Sequence, residues 1–237
     1  MNYTNPTDSN YRNDDVFDNT LEEAIKKYQK FYKLKVTGIL DPQTVTLMLQ
    51  PRCGVADLFL TNNSNIKNAA SFLYNYKYAF SGYSWPPNKR NLTISFPTGT
   101  RKDAYAPVEF ALTRWGNVSP FKFTYIDNFD LSEVKISFER RDHGDGYPFD
   151  GPYGILAHSF FPSDGRLHFD GDENWTTYDE KGNFDLQTVA LHELGHILGL
   201  AHSQDPKALM FAYIGRGETK DITPDDIQGI KSLYPNN

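Results

Sequence analysis

The chain has 237 residues, 39% of them hydrophobic and 15% aromatic, enough to bury one good core across one or two domains. A formal net charge of −6 and the lack of a long basic run argue against nucleic acid as a partner. No apolar run reaches the roughly 18 residues a membrane span needs, and the single cysteine, Cys53, excludes an internal disulfide.

Residues 1–18 are rich in Asn and Asp and read as disordered, with no signal-peptide pattern. Thr20-Leu21-Glu22-Glu23 has the form of a capping box, and Leu21, Ile25, Tyr28 and Phe31 (or Tyr32) recur at helical spacing behind it. Asp41-Pro42 opens a second helix to about Leu49. Residues 58–82 read as a linker, within a stretch broken by Asn and Pro that reaches residue 90. Strands are expected over 91–97, 121–126 and 133–138, and an amphipathic helix over 103–116. The Gly- and Asp-rich stretch 143–155 is too loop-like to hold its shape without bound ions, and His158 and His168 fall on or beside short strands. Residues 186–198 form a further helix, and Thr223-Pro224-Asp225-Asp226 caps a last one ending near Leu233.

The densest chemistry lies in His192-Glu193-Leu194-Gly195-His196-Ile197-Leu198-Gly199-Leu200-Ala201-His202. Residues four apart share a helix face, so His192 and His196 can point at one metal ion. Glu193 is placed to handle the protons of the attacking water. A turn at Gly199 would bring His202 back as a third ligand. Three nitrogen ligands leave a fourth position open, the mark of a catalytic zinc. The other three histidines, His143, His158 and His168, form with Asp145 a four-ligand set of the kind that holds a structural zinc. Cys53, in the turn-prone run Pro51-Arg52-Cys53-Gly54-Val55-Ala56-Asp57, is either a small buried hydrophobe or a thiolate able to fill the open zinc position.

These motifs resemble those of the matrix metalloproteinases, matrixins of the metzincin clan, in zymogen form. Residues 51–57 are similar to the family's cysteine switch, 192–202 to its zinc motif, and Ala208-Leu209-Met210 to its Met-turn. The spacing of the metal segments, the run 163–168 and Asp225-Asp226-Ile227-Gln228-Gly229-Ile230 look most like plant members, over residues 14 to 235. The resemblance implies an α+β fold: a small helical prodomain, then a metzincin catalytic domain with a mixed twisted sheet, three helices and a zinc cleft. The prodomain would span 19–57, the linker with its activating cleavage (before Tyr83) 58–82, and the catalytic domain 83–237. Only two of the family's three prodomain helices are found, and both that segment and a signal peptide are expected to be missing from this chain.

The resemblance further implies two zinc ions and calcium. Calcium would be held by Asp150, Asp170 and Glu173 and by the carbonyls of Gly151, Tyr153 and Ile155. A second calcium site is weakened, because Glu133 stands where an aspartate is usual and its loop shrinks to Ser163-Asp164-Gly165. Met210 would floor the metal, and Arg52 with Asp57 would lock the switch loop, contributing at most about 1 kcal/mol if exposed. Substrates would be extended protein segments lying antiparallel to Gly154–Phe160, with a specificity pocket between the zinc helix and residues 211–219. In that wall, Ala212 replaces the usual proline. The expected protein is a monomeric secreted endopeptidase with Glu193 as general base, kept latent by Cys53. Sequons at Asn2, Asn62, Asn91, Asn117 and Asn174 fit secretion. Two other readings stay open: an inert binding module on the same fold, and a zinc hydrolase acting on something other than peptides.

Overall fold

The computed structural model describes residues 17–57, 78–177 and 182–235. The expected N-terminal disorder through residue 16 and the linker over 58–77 therefore lie outside the described residues, as do the sequons at Asn2 and Asn62; Asn91, Asn117 and Asn174 are exposed.

Helix α1 (Asn19–Phe31) opens at Asp18, whose carboxylate accepts the Leu21 N–H at 2.8 Å. The cap is thus Asp18 and not Thr20, because Asp18 has the extended backbone a cap requires while Thr20 already lies in the first turn. Helix α2 (Pro42–Met48) starts where expected, with Asp41 accepting from Thr44 N. Gln29, fully buried on α1, joins the two helices. Its Oε1 accepts from the Thr37 and Gly38 N–H groups, and its Nε2 donates to Ile39 O and Thr44 Oγ1.

The main sheet contains β1 (Arg52–Cys53), β3 (Asn91–Ser95), β4 (Lys122–Tyr125), β5 (Val134–Glu139), β6 (Ile155–Ser159) and β7 (Arg166–Asp170), ordered β1-β6-β7-β5-β3-β4. The β6–β7 pair is antiparallel and the others are parallel. Leu92 with Ile94, and Val134 with Ile136, alternate inward with the two-residue period of a strand. They meet Leu156, Leu167 and Phe169 from β6 and β7. Helices α3 (Tyr105–Val118) and α4 (Leu186–Ile197) pack on each other and cover this core with Trp115, Leu186 and Leu191. Each such fully buried side chain contributes about 1.5–3 kcal/mol. Helix α5 (Pro224–Leu233) starts at the expected cap, where Thr223 and Asp226 form a capping box. The architecture is α+β, with a mixed sheet and, among the described residues, three α-helices following the helical N-terminal unit.

Helix α4 carries the metal motif, and its end is held from outside. Gly199 has φ 102, the left-handed turn that stops the helix, and a Cβ there would meet the Tyr83 carbonyl. The orphaned carbonyls of Ile197 and Leu198 accept from Trp85 Nε1 and Tyr234 OH, both at 2.8 Å. Just beyond the turn, Leu200 and Ala201 pair antiparallel with β2 (Ala79–Phe80), and Ser81 N donates to Gly199 O. Residues 78–81, which the sequence pattern put in the linker, thus pack on the catalytic body, while residues 82–84 are exposed.

The buried Gln29 gives a stability test. Gln29→Ala should cost about 2–4 kcal/mol by stranding the Thr37 and Gly38 N–H groups, read as lost hydrogen-exchange protection in α1 and α2 with the catalytic core unchanged.

Candidate metal centres and active site

His192 and His196 project from one face of α4, and the turn at Gly199 returns His202 beside them. All three are fully buried. Their Nδ1 atoms are spoken for: His192 bonds Leu209 O at 2.8 Å, His196 bonds Leu200 O at 2.7 Å and His202 bonds Asp57 Oδ1 at 2.8 Å. A carbonyl or carboxylate oxygen only accepts, so each Nδ1 donates and each Nε2 is left a bare lone pair. Those lone pairs converge, with His196 Nε2 at 3.2 Å from both His192 and His202 Nε2. Burial also pushes the three imidazoles down, which keeps them neutral. Acceptors crowded together, with only the weak Cys53 S–H donor beside them, fit a cation, and neutral imidazoles suit zinc.

Cys53 completes the set. Its Sγ lies 3.5 Å from His196 Nε2, and sulfur and nitrogens fall within 4.8 Å of one another. Strand β1 places it there by inserting between the β6 edge and residues 212–214. Arg52 N donates to Gly154 O, Gly54 N to Ala157 O, Cys53 N to Ala212 O and Ile214 N to Pro51 O. Burial raises the thiol of Cys53 in the absence of metal, whereas a bound zinc would hold it as thiolate.

Arg52 and Asp57 differ from the exposed pair on which the small contribution was conditional. Their side chains are 3% and 0% exposed, with Nη2–Oδ1 at 2.6 Å and Nη1–Oδ2 at 3.1 Å. Helix α1 supplies the cover. Tyr32 OH donates to Asp57 Oδ1, Tyr28 OH meets Tyr213 OH at 2.7 Å, and the Arg52 guanidinium lies over the Tyr213 ring. Burial works to raise the Asp57 carboxyl, but the bonds from His202 and Arg52 hold it well below the usual range. Removing one partner of such a buried pair costs about 3–5 kcal/mol, far more than an exposed pair contributes.

Glu193 is fully buried, and burial pushes its carboxyl up to about 7 against the opposing interactions of Cys53 and Ser159. Ser159 Oγ donates to its Oε2 at 2.6 Å, while Oε1 is buried without a hydrogen-bond partner. Met210 lies under α4, so close that a Cβ at Gly195 would run into its sulfur. Asp226 holds this Met-turn by accepting from Leu209 N and Met210 N, each at 3.1 Å. The motif reading missed three of these contacts: Ser159 on Glu193, Asp226 on the Met-turn and Asp57 on His202. A hydroxyl directly after His158, in a strand otherwise apolar, was the available signal for the first.

The second histidine set also converges. Asp145 Oδ2 lies 2.9 Å from His143 Nε2, 2.8 Å from His158 Nε2 and 3.0 Å from His168 Nδ1. Burial pushes His158 down to about 4, and despite burial the surrounding hydrogen bonds bring Asp145 to about 2. Three imidazoles around one carboxylate oxygen form a closed four-ligand set.

Next to it, Asp170 and Glu173 are buried, and each has an oxygen, Oδ2 and Oε2, with no hydrogen-bond partner. Burial raises both carboxyls, that of Glu173 to about 7, and Asp150 adds repulsion. Loop 150–155 wraps them: Tyr153, at φ 77, donates its N–H to Glu173 Oε1, and Ile155 N donates to Asp150 Oδ1. Two buried carboxylates with orphaned oxygens, with Asp150 at the rim, suit a calcium ion. Arg141 reaches this rim to bond the Asp150 carbonyl, an oxygen outside the expected ligand set. At the doubtful second calcium position, Glu133 is occupied by the Lys89 ammonium and by Thr93, whose N–H donates to Oε2 at 2.7 Å.

A buried three-imidazole cradle with a glutamate on the same helix defines a metallopeptidase-type centre. The matrixin family pattern matches residues 84–235, and a second pattern, described as a peptidoglycan binding domain, matches residues 3–48. Metalloendoproteinase 1 of Glycine max is 40% identical over 93% of this chain and 75% of its own length. Metalloendoproteinase 1-MMP of Arabidopsis thaliana is 42% identical over 93% of this chain and 62% of its own length. Matrix metalloproteinase-20 of Homo sapiens is 40% identical over 91% of this chain and 42% of its own length. The chain belongs to the matrixin family, and its enzyme class is metalloendopeptidase.

The unpaired Glu173 oxygen predicts a calcium-dependent pH profile. From about 4.5 to about 7 the folded state keeps a proton the unfolded state has lost, so stability falls as pH rises through that window. The buried imidazoles push Tm the other way below about pH 6.5, so the reading is a difference between proteins: in calcium-free, zinc-containing buffer Glu173→Gln should gain in Tm on the wild type as pH rises from 5 to 8, and calcium should shrink that gain. A gap between the two that does not change with pH would count against the site.

Proposed function

We propose that the chain is a secreted zinc endopeptidase, held latent by its own N-terminal segment, that hydrolyses internal peptide bonds of extended segments of extracellular proteins. The observation that carries this reading is the convergence of three bare Nε2 atoms beside the buried carboxylate of Glu193. His192, His196 and His202 would hold the catalytic zinc, and His143, Asp145, His158 and His168 a structural one. Asp150, Asp170 and Glu173, with carbonyls of Gly151, Tyr153 and Ile155, would hold calcium. The catalytic zinc, when bound, supplies Lewis-acid polarisation of the scissile carbonyl and acidification of water.

The chain's own groups do the rest. Glu193 takes a proton from the attacking water and returns it to the leaving amine. Helix α4 and residues 211–219 wall the specificity pocket. Strand β6 offers the Gly154 and Ala157 carbonyls that β1 now occupies, and a substrate lying antiparallel would use this edge. While β1 is in place, Cys53 would take the fourth ligand position and block the cleft. Release would follow cleavage before the catalytic body, and the exposed residues 82–84 support a site near Tyr83.

The test is hydrolysis of a quenched fluorescent peptide library before and after a thiol-reactive mercurial. Chelator-sensitive activity is expected only after treatment, and Glu193→Ala should lower it by about 10²–10⁴-fold. Bound zinc without hydrolysis in either state would point instead to an inert binding module. Cys53→Ser should be active without mercurial, since a neutral hydroxyl is a poor zinc ligand. A fully latent Cys53→Ser protein would refute the switch.

A further inference from the structure

We infer that Ser159 is a positioning residue for peptide hydrolysis: its hydroxyl grips one oxygen of Glu193 so that the other is free for the attacking water. The inference rests on the role proposed for Glu193. A glutamate side chain has three rotatable bonds, and a general base works only if its carboxylate is held within hydrogen-bond reach of the proton it takes. Helix α4 fixes the Glu193 backbone but not the orientation of the carboxylate.

Ser159 provides that constraint. Its Oγ lies 2.6 Å from Glu193 Oε2 and 3.2 Å from the Glu193 carbonyl oxygen. A hydroxyl has one proton, and the shorter contact to a carboxylate claims it. Oε1 remains buried and unpartnered, and the Cys53 thiol that contacts His196 also interacts with this carboxyl. The two oxygens are therefore inequivalent: Oε2 is anchored to the sheet, and Oε1 is left without a hydrogen-bond partner among the described residues.

The anchor is rigid. Ser159 sits in β6, where it pairs with Leu167 of β7, and it is buried. Adjacent strand residues point to opposite faces, so His158 enters the second metal cluster while Ser159 turns to α4. The same strand thus sets the orientation of the catalytic base and supplies a ligand to the other centre.

The experiment uses the activated, zinc-loaded enzyme. Ser159→Ala should lower kcat on the order of tenfold with KM within about twofold and zinc content unchanged, and Ser159→Thr, which keeps the hydroxyl, should restore most of kcat. A second reading comes from calorimetric affinity for a peptide hydroxamate, whose proton the base accepts. Ser159→Ala should weaken binding in the wild-type background and leave it unchanged in Glu193→Gln. Equal loss in both backgrounds, an unchanged kcat, or loss of zinc would overturn the inference, and the alanine variant with this cycle decides it even if the threonine variant does not fold. Hydrolysis surviving in Glu193→Gln would sink the general-base reading itself. An inactive Glu193→Gln beside a fully active Ser159→Ala would sink the present inference alone.

Discussion

Lone pairs of His192, His196 and His202 face one another at 3.2 Å in a buried site, an arrangement that neutral imidazoles do not adopt unaided. It persists because each ring is fixed from behind, by Leu209 O, Leu200 O and Asp57. Much of the fold serves those three contacts. Asp226 holds the Met-turn that contains Leu209, and the Gly199 turn with its β2 pairing places Leu200. Trp85 and Tyr234 hold the helix end from which the turn departs. The metal site is thus a property of several elements far apart in sequence, although its ligands lie within eleven residues.

The third contact belongs to a different part of the molecule. Asp57 comes from the N-terminal unit, and the Tyr32, Arg52 and His202 bonds to it join α1, β1 and the metal site in one buried polar network. Around it, Ala24, Tyr28 and Phe31 pack on Ala212 and Tyr213. Latency on this reading rests on two supports, a sulfur at the metal and a covered ion pair, with aromatic packing excluding water from both. Ala212, in place of proline, leaves its neighbourhood well packed, being fully buried under α1.

The local parts of this structure were legible in the sequence. Helix α4, the His192 and His196 face and the Gly199 stop follow from spacing alone, and the helices with strands β3, β4 and β5 lie within a few residues of their expected limits, whereas the two-residue strands β1 and β2 carried no local signal. The cap of α1 was misplaced because two candidate capping residues stand two apart, and only the backbone shows which is extended. Contacts across long stretches of chain were not legible. Asp57 and His202 are 145 residues apart, Ser159 and Glu193 are 34 apart, and no local pattern announces either bond. The burial of Arg52 depends on where α1 docks, which is set by tertiary packing and not by the switch motif itself.

Lys89 carries a quieter consequence. Its ammonium sits on Glu133 beside Thr93, and the Glu133 backbone carbonyl lies against Gly165 in the short loop 163–165. A lysine is a cation bound to the protein by its own backbone, so it cannot be diluted away or removed by a chelator. The edge between β3 and the shortened loop therefore balances the Glu133 charge from within the chain, whereas the carboxylates of Asp170 and Glu173 keep oxygens that no group among the described residues satisfies. One side of the sheet carries its own counter-charge, and the other leaves a place for one from outside.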